Sequence, residues 1–184
     1  DDEEEADKLI REGVPGLTNE TLRSEIQNTV TAAINVAKQA TEIDPKNSLN
    51  WDNLGNVYER ITAIASGADA LAEESYKKAM EIDSKNPQEP VNIARGFLSA
   101  VDLYGAKDAG FLQDKLGRAR NYLEQSLKLK PDYAAAHFLL ATIAMREGKT
   151  QEMIERLEAA KLSAPFDSGL AFQLGLIYYQ SNQL

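Results

Sequence analysis

The sequence predicts an all-α fold in which helical hairpins stack side by side as a solenoid. One pattern occurs four times in the 184 residues: a large apolar residue, then Gly or Ala, then an apolar or aromatic residue three positions later. These offsets place the side chains on one face of a helix. A second helical segment follows each of the first three occurrences, and a turn closes it. Recurrence at intervals of 20–50 residues is the signature of repeat architectures.

The repeats follow one another from residue 18 to the last residue. A partial unit at 18–47 comes first, three full units cover 48–86, 87–133 and 134–167, and a truncated unit covers 168–184. The pattern residues of the four later units are Trp51, Leu54, Gly55 and Tyr58; Pro90, Ile93, Ala94 and Phe97; His137, Leu140, Ala141 and Ala144; and Ala171, Leu174, Gly175 and Tyr178.

This order of residues resembles the tetratricopeptide repeat, whose 34-residue period runs Trp, Leu-Gly, Tyr, Ala, aromatic, Ala, Pro. The interval from Pro131 to Pro165 has that period. The unit at 48–86 carries the most complete match, with Trp51, Leu54, Gly55, Tyr58, Ala72, Tyr76 and Ala79. The resemblance implies a right-handed α-solenoid with about three full repeats and partial repeats at both ends.

The resemblance also explains a glycine in the middle of a helix, where Gly costs about 1 kcal/mol relative to Ala. In this family the small residue of a first helix faces the small residues of the second, so two backbones approach closely. We therefore expect Gly55 to meet Ala72 or Ala79.

Charge and composition exclude several classes of function. Six of the 29 acidic residues lie in the first seven positions, and the remaining 23 face 20 basic residues. The acidity therefore belongs mainly to a tail at 1–17, which we expect to be solvated and flexible. A nucleic-acid partner would require a basic stripe, which the sequence lacks. Insertion into a membrane would require about 20 consecutive apolar residues, and no run approaches that length.

The sequence offers no basis for catalysis, a metal or a cofactor. There is no cysteine, and His137 is the only histidine. His137 occupies the position at which the repeat family has a buried Trp, so we interpret it as a packed, hydrogen-bonded side chain rather than a general base. A histidine metal site would need partner ligands that the chain does not have. We predict a protein that is not an enzyme.

The resemblance implies a binding surface on the other side of each first helix, where this family has a concave groove. Asn56 is expected to hydrogen-bond a peptide main chain, and the arginines to pair with acidic side chains or a C-terminal carboxylate. The heat-shock chaperone clamp of this family needs Lys where Asp52 and Phe138 stand, which argues against that ligand. The predicted groove residues are Asp52, Asn56, Arg60, Val91, Arg95, Leu98, Phe138, Thr142, Met145, Arg146, Phe172, Leu176 and Tyr179.

The predicted groove is asymmetric, because its last two units contribute mainly apolar residues. An exposed apolar cluster of this kind marks an interaction surface. The alternative is that part of the cluster packs under a further repeat.

Two hypotheses for function follow. The first is a non-enzymatic interaction module that binds a peptide or a partner helix in the groove. The second is a structural spacer or self-association segment of a larger protein. The irregular unit lengths are similar to those in bacterial envelope proteins that carry a glycan (O-antigen) ligase or polymerase membrane domain. We also expect weak self-association through the apolar C-terminal helix. The sequence leaves the compartment open between the cytoplasm and the bacterial cell envelope.

Overall fold

The computed structural model of the chain describes residues 19–65, 67–105 and 108–180. These residues form eight α-helices and no strand. The predicted acidic tail at 1–17 lies outside the described residues. The helices are α1 (Asn19–Ile43), α2 (Ser48–Arg60), α3 (Ala68–Ile82), α4 (Gln88–Tyr104), α5 (Ala109–Leu129), α6 (Ala134–Arg146), α7 (Thr150–Ser163) and α8 (Ser168–Gln180).

The helices stack in chain order. Each helix packs against the next one along the chain, most closely within the hairpins α2/α3, α4/α5 and α6/α7. The first helices of successive hairpins also meet, since α4 contacts α6. A two-helix unit cannot bury its apolar face alone, so stacking on neighbours supplies the core. The prediction of an all-α solenoid of helical hairpins is therefore confirmed.

The buried core consists of two clusters that follow one another along the stack. The larger cluster extends from Ala37 of α1 to Ile143 of α6. The smaller cluster joins α6, α7 and α8 and includes Met153, Leu157 and Leu174. The larger one contains the aromatic side chains of Tyr58, Tyr76 and Phe97. The buried residues of the smaller cluster are all Ala, Leu or Met.

The prediction that Gly55 meets Ala72 or Ala79 is wrong in detail. A Cβ atom added at Gly55 would lie 2.6 Å from Cδ1 and Cε1 of Tyr76 on α3. The close approach is therefore to an aromatic ring rather than to Ala72 or Ala79. Both alanines are buried in the α2/α3 hairpin, one helical turn on either side of Tyr76. Gly55 is still explained by packing, because only its missing side chain leaves room for the ring.

His137 takes over the structural role of the tryptophan it replaces. Trp51 Nε1 donates to the carbonyl of Pro45 at 2.9 Å. His137 Nε2 lies 2.9 Å from the carbonyl of Pro131, which is also six residues upstream. A carbonyl only accepts, so Nε2 carries the proton in this pair. His137 is buried, and its position agrees with the interpretation of a packed side chain.

Candidate functional site

The predicted groove residues lie on α2, α4, α6 and α8, the first helices of the units. Two of them need correction. Val91 and Leu98 are buried in the larger core cluster. Because α4 packs against α3, α5 and α6, these two positions have no free surface to offer a ligand. We refer to the remaining surface as the first-helix face.

In the α2/α4 half of this face, charged groups are paired with one another around Glu59. Arg95 Nε donates to Glu59 Oε1 at 3.1 Å, and Arg95 Nη2 donates to Glu59 Oε2 at 3.3 Å. The Tyr76 hydroxyl donates to Glu59 Oε2 at 2.6 Å. Burial, the hydrogen bond to Glu59 and its negative charge all raise the pKa of Tyr76. Glu59 thus joins α2, α3 and α4. It is the ion-pair partner of Arg95, which was expected to bind a ligand.

A second chain of hydrogen bonds runs from α2 across α4 towards α6. Asn92 Nδ2 donates to Asp52 Oδ1 at 2.5 Å, and Gln88 Nε2 donates to Asn92 Oδ1 at 2.7 Å. The Tyr133 hydroxyl donates to Gln88 Oε1. Burial raises the pKa of Asp52, and it outweighs the opposing effects of Asn92 and Arg95. These amides connect α2, α4 and the residue that precedes α6.

Glu89 is the most unusual acid of this region. Its side chain is 1% exposed, and Asn86 Nδ2 donates to its Oε1 at 3.0 Å. Its second oxygen, Oε2, is buried without a hydrogen-bond partner. Burial, followed by the charges of Asp52 and Asp83, raises the pKa of Glu89 to about 7. Near neutral pH this carboxyl group therefore carries its proton for part of the time.

The other two arginines of the predicted groove also have partners within the protein. Arg60 Nε donates to Asn56 Oδ1 at 2.8 Å, so Asn56 is engaged by its own helix. Arg146 Nη2 donates to Asp102 Oδ1 at 2.7 Å. The Arg146–Asp102 salt bridge is largely exposed on the Asp102 side, so it contributes little to stability. None of the three arginines is an unoccupied anion site in this structure.

The α6/α8 half is different, because an apolar cavity of about 450 Å³ opens between α6, α7 and α8. Met145 and Leu176 stand at this cavity with 58% and 45% of their surface exposed. Its lining residues are Phe138, Ala141, Thr142, Met145, Met153, Leu157, Gln173, Leu176 and Ile177.

A second cavity of about 370 Å³ adjoins the first towards the start of α6. Phe138 and Gln173 line both cavities, so they form the boundary between them. Nearby on α8, Phe172 is 72% exposed and Tyr179 is 71% exposed. The other lining residues of the second cavity are Ala134, Ala135, Ala164, Asp167, Gly169 and Leu170. We call the two cavities together the α6/α8 groove.

Sequence reasoning missed part of this groove. Met153 and Leu157 come from α7, a second helix, which the family pattern does not assign to the binding surface. Gln173 lies one position away from the expected offset of Phe172 on α8. The i, i+4 spacing of Met153 and Leu157 indicates one apolar face, but spacing alone cannot tell a core face from a cavity wall.

Two further properties of the described residues bear on function. They contain no group of three or more His, Asp or Glu side chains arranged to hold a metal ion. Among the helices that the structure describes, none combines the length and the apolar character needed to cross a membrane.

The fold is a scaffold of stacked helical hairpins, and the comparisons with known proteins agree with this architecture. Residues 111–183 match the family model described as "Tetratricopeptide repeat". That match supports the resemblance from α5 onwards, and the structure extends the architecture to the hairpins before it. A comparison with curated proteins found no sequence match.

Several solved structures share this fold at low sequence identity. "TTC0263: a thermophilic TPR protein", from Thermus thermophilus, is 17% identical, with a TM-score of 0.66 over 86% of this chain and 78% of that one. MamA is 20% identical, with a TM-score of 0.59 over 90% and 86%. The first TPR of Spaghetti (RPAP3), solved with the HSP90 peptide SRMEEVD, is 20% identical, with a TM-score of 0.56 over 74% and 96%.

Proposed function

We propose that this protein is a non-enzymatic interaction module that binds a peptide or a partner's helix on its first-helix face. The observation that carries the proposal is the α6/α8 groove, where exposed apolar side chains surround two adjoining cavities. Ligand sites are typically concave and mostly apolar, with few polar groups, and cavities of 300–1,000 Å³ are usual. The Spaghetti (RPAP3) domain of similar fold, solved with a bound peptide, supports the same kind of use.

The α2/α4 half supports a narrower role within this proposal. Arg95 is bonded to Glu59, and Arg60 is bonded to Asn56. At the border with α6, Asp102 of α4 is bonded to Arg146. An acidic ligand would have to replace these contacts, so little net electrostatic energy remains for binding. The same half therefore acts as a rigid platform, and binding energy comes from burial of apolar surface at α6 and α8.

Selection from a displayed library of random 16-residue peptides tests the proposal. The parent protein is compared with two variants of the first-helix face, Met145→Lys/Leu176→Lys in the α6/α8 groove and Arg95→Ala on α4, and both are called groove variants below. The matched controls are Ile43→Lys and Leu162→Lys, which change exposed apolar residues that do not line the cavities. We expect enriched peptides to lose binding to at least one groove variant and to keep binding to both controls. Peptides equally retained by all variants, or no enrichment, would contradict the proposal.

A second candidate function is self-association through α8, the structural alternative of the sequence analysis. Its specific support is the exposure of Phe172, Leu176 and Tyr179 on one helix. Burial of such a surface is worth about 25 cal/mol per Å² before association costs. Sedimentation over a concentration series, with Phe172→Ser/Tyr179→Ser as the comparison, tests it. A parent protein that stays monomeric at its highest soluble concentration excludes this candidate.

The resemblance to envelope proteins with a glycan ligase or polymerase domain stays a prediction. A role as a spacer in such a protein would require no ligand on the first-helix face. The library selection separates the two roles, because a spacer retains no peptide that is sensitive to groove substitutions.

A further inference from the structure

We infer that the α6/α8 groove accepts the apolar face of an amphipathic α-helix from a partner, rather than an extended peptide. The inference rests on the proposed function and names the class of ligand for the same surface. Three properties of the described residues carry it: the charge of the lining, the supply of hydrogen-bonding groups, and the spacing of the two cavities.

The lining selects an uncharged surface on the partner. Among the described residues that line the two cavities, Asp167 is the only charged one. Asp167 Oδ1 accepts a hydrogen bond from the backbone N–H of Leu170 at 3.1 Å, so this carboxylate is used in the first turn of α8. A charged side chain that enters the groove away from Asp167 would lose its hydration without gaining a partner of opposite charge. The inserted face of the ligand must therefore be apolar.

The supply of hydrogen-bonding groups distinguishes a helix from an extended chain. An extended peptide exposes a backbone N–H and C=O at every residue, and each such group needs a partner when it is buried. Besides Asp167, the described walls of the groove have two polar side chains, which are Thr142 and Gln173. The Thr142 hydroxyl already donates to the carbonyl of Phe138 at 3.1 Å. Gln173, with the remaining acceptor sites of Thr142 and Asp167, supplies too few partners for an extended backbone, whereas a helix pairs its own backbone groups internally.

The two cavities also set a spacing for the partner's side chains. Along α6, one cavity is lined from Ala134 to Phe138 and the other from Phe138 to Met145. The centres of these two stretches are about 5.5 residues apart, which is about 8 Å at 1.5 Å per residue. On one face of a partner helix, positions i+4 and i+7 lie about 6 Å and about 10 Å from position i, so residues at these positions span the distance. The ligand is therefore a helix with apolar residues at i, i+3 or i+4, and i+7.

Two matched display libraries test the inference. One carries apolar residues at i, i+3 or i+4, and i+7 on a background of helix-forming residues. The other carries the same number of apolar residues in alternation on a background of Ser and Thr. Both have zero net charge and are selected with the parent protein. The enriched peptides are then measured on Met145→Lys/Leu176→Lys and on Arg95→Ala. Ile43→Lys/Leu162→Lys serves as the control for added positive charge.

We expect enrichment from the helical library alone, with at least a tenfold loss of affinity in Met145→Lys/Leu176→Lys and less than a twofold change in the control. Enrichment of the alternating library overturns the inference but leaves the proposed function intact. Binders that are lost on Arg95→Ala and kept by Met145→Lys/Leu176→Lys also overturn it, because they locate the site on α2 and α4. If neither library yields a binder sensitive to any groove variant, both the inference and the proposed function fail.

Discussion

The two halves of the first-helix face have the same backbone plan but opposite surface chemistry. On α2 and α4 the side chains bind one another: Glu59 holds Arg95 and Tyr76, and Asn92 holds Asp52. On α6 and α8 the equivalent offsets carry Phe138, Met145, Phe172 and Leu176, which surround or adjoin open cavities. One half therefore uses its polar groups to join neighbouring repeats, and the other leaves apolar surface available.

This difference teaches how a repeat scaffold separates stability from binding. Nearest-neighbour contacts between repeats determine the stability of a solenoid. Polar contacts across α2, α3 and α4 strengthen such an interface and remove the groups from the ligand's reach. Fewer cross-repeat contacts of this kind involve α8. Its main packing neighbour is α7. The end with the weaker stacking is also the end with more exposed apolar surface on its first helices.

Among the variants that test this comparison, we expect the largest effect on stability at Gly55. A Leu side chain there must displace the Tyr76 ring, because even a Cβ atom lies 2.6 Å from it. We expect Gly55→Leu to lower the free energy of unfolding by about 3 kcal/mol or more. Gly175 occupies the same repeat position on α8 but has no atom within 4 Å of its Cβ site. Gly175→Ala should therefore stabilise the protein by up to about 1 kcal/mol.

Urea denaturation of both glycine variants provides the measurement. An unchanged midpoint for Gly55→Leu would remove Gly55 from the α2/α3 interface. A large loss of stability in Gly175→Ala would show that α8 has a closer neighbour than the structure describes.

The next effect is a pH dependence that belongs to the α2/α4 half. The folded-state pKa of Glu89 is about 7, above the ordinary value of 4.5. For an acid with a raised folded pKa, the stabilising contribution is complete below the unfolded pKa and is lost as pH rises through 7. A shift of this size corresponds to a contribution of about 3 kcal/mol. Glu89→Gln mimics the protonated group, so it should be more stable than the parent at pH 8 and similar to it at pH 4.

Denaturation of the parent and Glu89→Gln at pH 4, 6 and 8 measures the difference. Comparing the two proteins at each pH cancels the contributions of all other titrating groups. If the difference between them is the same at all three pH values, Glu89 titrates normally and its contact with Asp52 and Asp83 is not repulsive.

A smaller contrast separates the two ion pairs of the first-helix face. Glu59 is largely buried and bonded to both Tyr76 and Arg95, whereas Asp102 is mostly exposed beside Arg146. Glu59→Ala leaves a buried hydroxyl and a half-buried guanidinium without a partner, at a cost of about 2 kcal/mol. Asp102→Ala should cost about 0.5 kcal/mol or less. Equal losses in thermal unfolding experiments would show that the Glu59 cluster is no stronger than an ordinary surface pair.

The smallest effect on stability is expected in the α6/α8 groove. Met145→Lys and Phe172→Ser change side chains that are mostly exposed, so each should alter the free energy of unfolding by about 0.5 kcal/mol or less. Met145→Lys adds a cation to the last turn of α6, where the helix dipole favours it. A loss well above 1 kcal/mol for either variant would indicate that the residue belongs to the core, and the groove would then be smaller than described.

Much of the fold followed from residue spacing alone. Recurrence of an apolar residue, a small residue and an aromatic residue at fixed offsets predicted the helices, and the intervals between them predicted stacked hairpins. The contrast between polar early units and apolar late units was also readable, because it depends only on residue type at equivalent offsets. His137 stands at the repeat position that Trp51 occupies in an earlier unit. The resemblance to the repeat family identified the packing role of that position.

The sequence by itself determined which residues share a helical face, because a period of 3.6 residues is a local property of one helix. Only the tertiary structure decided which residues of two different helices meet, because that depends on their crossing angle and relative rotation. It placed the Tyr76 ring rather than an alanine against Gly55, buried Val91 and Leu98, and paired Arg95 with Glu59. It also opened the α6/α8 groove, whose walls come from three helices at once.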